Sequence, residues 1–162
     1  MATKGKPLAE GEHTLTAHLS VRGASEAIEF YQKAFGAKLL FVHKMPDGKV
    51  MHATLKIGDS KLMLADEFPG MGTPAAATLG GSPIVLNIYV EDVDALFNQA
   101  VAAGAKVTMP LANQFWGDRY GHVVDPFGFT WALGAHIEDV SQEEMERRAN
   151  AFFSEMAKKA GA

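Results

Sequence analysis

VRGASEAIEFYQKAFGAKL, residues 21–39, and VEDVDALFNQAVAAGAKV, residues 90–107, follow one plan. Each runs from a valine through a turn into a helical pattern, then out through Gly-Ala-Lys and an aliphatic residue. Val21 matches Val90 and Gly36 matches Gly104, at almost the same separation along the chain. Farther on, His52 and His122 stand at a closely similar separation, which extends the match and pairs the two histidines as repeat mates. A repeat this long implies two copies of one supersecondary unit that pack to share a core. The junction of two such halves is the first place to expect a ligand.

Working outward, Thr14 to Val21 alternates, with Leu15, Ala17, Leu19 and Val21 on one face and Thr14, Thr16, His18 and Ser20 on the other. That period predicts a half-buried strand. Ala24, Ala27, Ile28, Tyr31, Ala34 and Phe35 recur at helical spacing, and Gly36 reads as the glycine that ends the helix. Leu39–Met45, Val50–Ile57 and Lys61–Ala65 read as strands, separated by Pro46-Asp47-Gly48-Lys49 and Gly58-Asp59-Ser60 turns. The first unit, 14–66, is therefore β-α-β-β-β. Residues 67–82, EFPGMGTPAAATLGGS, carry almost no periodicity and read as a linker or as a lid loop over a pocket.

The second unit, 83–136, repeats the order. Ile84–Val90 is a strand, Asp92 caps a helix whose apolar stripe is Val93, Leu96, Phe97, Ala100 and Val101, and Gly104 ends it. Lys106–Met109 is a short strand stopped by Pro110; Arg119–Val124 and Phe129–Leu133 are the last two, joined by the Asp125-Pro126-Phe127-Gly128 turn. In residues 137–162, Ser141 and Glu144 form a capping box, and Met145, Ala149, Phe152, Phe153, Met156 and Ala160 make one apolar stripe. Glu143–Arg147 and Glu144–Arg148 are favourable pairs on its exposed side. The stripe needs a partner surface, its own subunit or a dimer mate. Residues 1–13 read as a flexible arm.

A chain of 162 residues can bury one substantial core or two small, closely packed ones. Its net charge of −4 leaves no basic surplus to offset phosphates, so a nucleic-acid partner is not expected. No apolar run reaches transmembrane length, and the start MATKGKPLAEGEH lacks a signal core. The absence of cysteine removes disulfides, thiolate nucleophiles and cysteine metal ligands, and fits a cytoplasmic protein.

The segments ASEAIEFYQKAFGA (24–37), DGKVMHATLKIGDSKLMLADE (47–67), VEDVDALFNQAVAAGA (90–105) and NQFWGDRYGHVVDPFGFTWAL (113–133) together resemble the vicinal oxygen chelate superfamily, in its glyoxalase/bleomycin-resistance-like branch. The resemblance implies an α+β fold: two β-α-β-β-β repeats forming a curved mixed sheet around a cavity, here with an added C-terminal helix. It implies a homodimer. It also implies that metal-using members draw His or Glu ligands from the first and fourth strands of each unit. Those positions fall on Thr16, Met63, Val85 and Ala132, with His18 and its counterpart Asn87 two residues along the same faces and Asp66 or Glu67 as the nearest carboxylates. Fe, Mn or Zn sites need His and carboxylate together, so no metal cofactor is expected.

His18 is the leading polar candidate, as a cavity acid/base or hydrogen-bonding group. Beside it stand Asn87, Met63, and Trp116, Arg119 and Tyr120 from the aromatic-rich segment Phe115–Gly121. Trp116 and Tyr120 offer apolar walls with polar tips, and Arg119 can bind a carboxylate or phosphate in two-pronged fashion. The structural alternative pairs Arg119 with Asp118 or Asp125. Trp131 and Phe129 read as core, Asp125 as a turn-former, and His52 as a solvent-facing neighbour of Thr54 and Lys56. His13, His43 and His136 carry no distinctive context. The reading is a protein that binds a small organic molecule, anionic or aromatic, without a metal. The alternatives are a divalent-metal-dependent lyase, isomerase or transferase, and a structural or protein-interaction role.

Overall fold

A computed structural model describes residues 11–160. The chain divides into two compact units, Met1–Gly81 and Ser82–Ala162. Most of the expected N-terminal arm, residues 1–10, lies outside the described residues; Glu12 pairs with Lys61.

The first unit contains β1 (Ala17–Val21), α1 (Ala24–Phe35), β2 (Lys38–Lys44), β3 (Val50–Ile57), β4 (Ser60–Asp66) and the short α2 (Ala76–Leu79). Its sheet order is β1-β4-β3-β2, with β1 and β4 parallel and the other pairs antiparallel. Alternation decides the faces. Leu19, Val21, Ala53, Leu55, Leu62 and Leu64 are buried on one side, beneath Ile28, Phe30, Tyr31, Ala34 and Phe35 of α1. Each large apolar side chain so buried contributes about 1.5–3 kcal/mol. His18, Ser20, His52, Thr54, Met63 and Ala65 fall on the opposite side. Gly36 takes φ 64° and closes α1, as its position in the sequence implies.

The second unit contains β5 (Val85–Tyr89), α3 (Val93–Ala103), β6 (Lys106–Asn113), β7 (Asp118–Val124), β8 (Thr130–His136) and α4 (Gln142–Ala160). The order is β5-β8-β7-β6, again with the first pair parallel. Val93, Phe97 and Ala100 of α3 are buried, as are Val123, Trp131 and Leu133 of the sheet. The fold is thus α+β: two β-α-β-β-β repeats, each a mixed four-stranded sheet, plus a C-terminal helix.

Several boundaries differ from the sequence expectation. β1 starts at Ala17, not Thr14, and Leu15 is 89% exposed. The ladder with its parallel partner β4 opens at the Ala17–Leu62 pair, and Thr14 to Thr16 lie outside it. β6 runs through Pro110 to Asn113. It is an edge strand with register shifts between Val107 and Met109 and between Met109 and Ala112. There a missing N–H deprives no neighbour. Within residues 67–82, Ala76–Leu79 forms a helical turn, consistent with the helix propensity of its alanines.

The α4 capping box is half realised: Ser141 Oγ accepts from the Glu144 N–H at 3.2 Å, but the Glu144 carboxylate bonds Arg147 and Arg148. Arg147 takes Glu144, not Glu143, and Arg148 also grips Glu138 with two bonds of 2.8 and 2.7 Å. The chain leading into α4 crosses the β6–β7 turn at Gly117, whose carbonyl accepts from the N–H groups of Ile137 and Glu138. Gly117 has φ 97°, and a Cβ there would overlap the Glu138 carbonyl oxygen. Backbone strain and overpacking each cost about 1–3 kcal/mol. Gly117→Ala should therefore lower the unfolding free energy by about 2–4 kcal/mol in urea denaturation. Gly48→Ala, with open space around it, should cost less.

Candidate functional site

β1 and β4 place His18 and Met63 side by side, as Cα partners in the parallel ladder, and Thr54 is the next residue across on β3. His52, two residues before Thr54, meets His18 edge-on with ring centroids 5.7 Å apart. Its Nε2 lies 3.1 Å from Thr54 Oγ1, and the Phe41 ring stands 6.2 Å away. His52 is thus a half-buried neighbour of His18, not a purely solvent-facing side chain. Burial lowers the His18 pKa, and the nearby His52 lowers it further, so neutral imidazole is favoured.

A cavity of about 390 Å³ opens beside His18, lined by Ser20, Met51, Ala65, Asp66, Phe68 and Met71 and bordered by Gly72 and Thr73. The segment after β4 supplies its outer wall. Asp66 fixes the inner frame: Oδ1 accepts from the N–H groups of Gly23 and Ala24 at 3.0 and 2.9 Å, and Oδ2 from Val50 at 2.7 Å. It caps α1 from across the sheet, where Gly23 has no side chain to do so. Glu67 holds the wall: its carboxylate accepts from Thr78 Oγ1, the Arg22 Nε and the Ala75 N–H. Those bonds, led by Thr78, pull its pKa down to about 2. The sequence marked neither acid for this work, since every partner but the Ala75 and Thr78 groups is distant in the chain. Ser20 could have been found, because it shares the His18 face. Phe68 and Met71 sit in a segment without period.

In the second unit, Asn87 Oδ1 accepts from the Tyr120 hydroxyl at 2.7 Å. The register shows why. Asn87 and Ala132 are Cα partners, and Ala132 faces His122, as Met63 faces Thr54. Hence Tyr120, two residues before His122, is the structural counterpart of His52, and His122 that of Thr54. The sequence pairing of His52 with His122 is thereby corrected. His18–His52 in one copy and Asn87–Tyr120 in the other are equivalent pairs. Gly134 lies between Tyr89 and Tyr120, and a Cβ there would meet both rings at 3.0–3.2 Å.

Asp118, buried, accepts from the Tyr89 hydroxyl at 2.8 Å and Trp116 Nε1 at 3.0 Å, and pairs with His136 Nδ1 at 2.9 Å. Burial is the largest single influence and would raise the Asp118 pKa, but the bonds from His136, Tyr89 and Trp116 together outweigh it and leave it lowered. The same contact pushes the Tyr89 hydroxyl up to about 12. Trp116 also packs edge-on against Phe115 and Tyr120, and Phe115 meets Phe152 and Phe153 of α4. Arg119 makes a two-pronged pair with Asp94 of α3 at 2.7 and 2.6 Å and bonds Asn113 Oδ1. The expected partners are engaged elsewhere: Asp118 as above, and Asp125 with the Phe127 and Phe129 N–H groups and Trp131 Nε1. Trp131 and Phe129 are core, as read from the sequence.

A family model described as the glyoxalase/bleomycin resistance protein/dioxygenase superfamily matches residues 12–133. The chain belongs to that superfamily. A protein of Mycobacterium tuberculosis, described as uncharacterized, is 45% identical over 138 residues, covering 83% of this chain and 81% of its own. Protein YjdN of Escherichia coli is 27% identical over 149 residues, covering 79% of this chain and 99% of its own. The crystal structure of TioX from Micromonospora sp. ML1 superposes with a TM-score of 0.62 at 26% identity, covering 78% of this chain and all of that one. Helix α4 lies beyond the span matched by the family model.

The superfamily ligand positions implied by the resemblance hold Thr16, Met63, Val85 and Ala132, and among the described residues no three His, Asp or Glu side chains converge as a metal-binding group. The donor set does not fit a divalent ion. Among the described residues no helix is long and apolar enough to cross a membrane.

Two histidines should titrate in opposite directions. His136 bonds Asp139 and Asp118 through its two ring nitrogens, and both acceptors favour the imidazolium, raising its pKa. Its stabilising contribution is full below the unfolded histidine value of about 6.5 and is lost as pH rises through its folded pKa. His18 is shifted down, so folding weakens as pH falls from about 6.5 through its folded pKa. Proton NMR titration, assigned with His18→Gln and His136→Gln, should show His18 retaining a neutral ring to lower pH than His136.

Proposed function

We propose that the protein binds a small organic molecule in the cavity beside His18 and sequesters it without making or breaking bonds and without a metal. The observation that carries this is the cavity of about 390 Å³, with Met51, Ala65, Phe68 and Met71 as apolar walls and His18 as a polar group on its lining. Its size and its mixture of apolar walls with few polar groups match ordinary small-molecule sites. We assign Met63 and His18 as binding residues on the first sheet and Asn87, Trp116 and Tyr120 on the second unit, where Asn87 stands in the place of His18 and Tyr120 in that of His52. Arg119 contributes only when its pair with Asp94 opens.

Mass spectrometry of an organic extract of the purified protein, combined with thermal-shift titration, tests the reading. Ala65→Phe fills the cavity and should abolish ligand retention and the ligand-induced rise in Tm; Arg119→Ala should leave the retention of an uncharged ligand intact. Unchanged retention in Ala65→Phe would place binding elsewhere.

We further propose a cytoplasmic homodimer in which α4 contributes to the contact. Phe152, Phe153 and Met156 remain 43%, 60% and 54% exposed although Phe115 touches the first two. Glu143 and Glu144 lie near one end of the helix and Lys158 and Lys159 near the other, so an antiparallel pair of copies would align opposite charges. Phe153→Glu with Met156→Glu should convert the dimer to monomer in sedimentation velocity, with the far-UV spectrum retained.

A further inference from the structure

The polar groups around the cavity can be accounted for one by one. Both Asp66 oxygens are occupied by backbone N–H groups, two of them at the first turn of α1, where the helix dipole also offsets the negative charge. The Ser20 hydroxyl donates to the Thr73 carbonyl at 2.7 Å. Among the described residues no lysine or arginine lines the space. Lys49 lies over the Phe68 ring at 5.6 Å, and Arg22, at the neighbouring cavity, is paired with Glu67 at 2.9 Å. What remains for a ligand is the His18 imidazole, kept neutral by burial and by His52, and the Thr73 hydroxyl.

The second copy repeats this chemistry. Where the first has His18 and His52, it has Asn87 and Tyr120, again a polar pair without formal charge. In both copies the charged side chains beside these pairs are satisfied within the protein: Asp66 by N–H groups, Asp118 by Tyr89, Trp116 and His136, and Arg119 by Asp94.

We propose that the cavity beside His18 selects an uncharged, largely apolar molecule bearing a hydroxyl, carbonyl or amide that hydrogen-bonds the imidazole, and rejects organic anions. The inference rests on the sequestration reading above and names its ligand class. An anion entering this space would leave its hydration shell without meeting a cation, whereas a hydroxyl or carbonyl needs only one partner. Methionine sulfur and the Phe68 ring suit a flat or polarizable body.

Three probes of one shape test the charge rule: naphthol, naphthalenesulfonate and naphthylmethylammonium, titrated by calorimetry into the full-length protein near neutral pH. Naphthol should bind at least about tenfold more tightly than either ion, a gap of about 1.4 kcal/mol. His18→Leu should remove the preference for naphthol over plain naphthalene while still binding both. His18→Lys, which supplies the missing cation, should move naphthalenesulfonate to the top of the order. If naphthalenesulfonate or naphthylmethylammonium binds the unaltered protein as tightly as naphthol, the charge rule is overturned and the cavity reading stands. If none of the naphthalene probes binds, both fall.

Discussion

The Asp66 carboxylate ends β4 and at the same time holds the start of α1 and the start of β3 through three N–H bonds of 3.0, 2.9 and 2.7 Å. Each party needs the other. The first N–H groups of a helix have no partner within it, and Gly23 cannot cap them. A carboxylate drawn partly out of water is costly unless donors meet it. At the next position, Glu67 ties Arg22 to the Ala75–Thr78 turn. Two adjacent acids therefore set both the inner frame and the outer wall of the cavity, and the segment between them and α2 is held by named bonds at its two ends. A loop rich in glycine and proline can form a wall only if it is held in this way.

The second copy solves the same problem with different residues. Asp92 caps its own helix, accepting from the Ala95 N–H at 3.0 Å, and Asp125 organises the turn into β8 while taking the Trp131 indole N–H. Above the sheet, Tyr89 and Tyr120 lie over Gly134, and the equivalent positions in the first copy are Ser20 and His52 over Ala65. Exchanging two phenols for a hydroxymethyl and an imidazole frees volume. A duplicated architecture thus holds a cavity in the first unit where the second unit places aromatic rings and a buried Asp118 network.

What was legible in the chain was what has a period. The helices, their glycine stops and the doubled strand order follow from spacing alone, because burial on one face leaves a repeating mark. Pro110 misled, since proline ends a central strand but is tolerated on an edge strand beside a bulge. The pairing of His52 with His122 misled for a related reason. β1 and β4 share a single offset to their counterparts, taking His18 to Asn87 and Met63 to Ala132. From β3 to β7 the offset is shorter, taking Thr54 to His122 and leaving Tyr120 as the mate of His52. Between aligned segments whose turns differ in length, a match of residue type is no guide to register. Arg119 with Asp94, and Asp66 with Gly23 and Val50, are 25, 43 and 16 residues apart, and such pairings leave no local trace.

Under the proposed reading, the superfamily fold serves here for recognition by shape. In metal-using relatives, as the resemblance implies, carboxylate and imidazole must stay unsatisfied by protein so that an ion can complete them. Here Asp66 and Asp118 accept from N–H groups, an indole and a phenol, which strengthens the frame and occupies oxygens that an ion would need. The residue left over, His18, has only His52 and burial acting on its basicity, and both depress it. On that reading the site presents little charge of its own, and discrimination falls to cavity volume, apolar contact and the polar groups of His18 and Thr73.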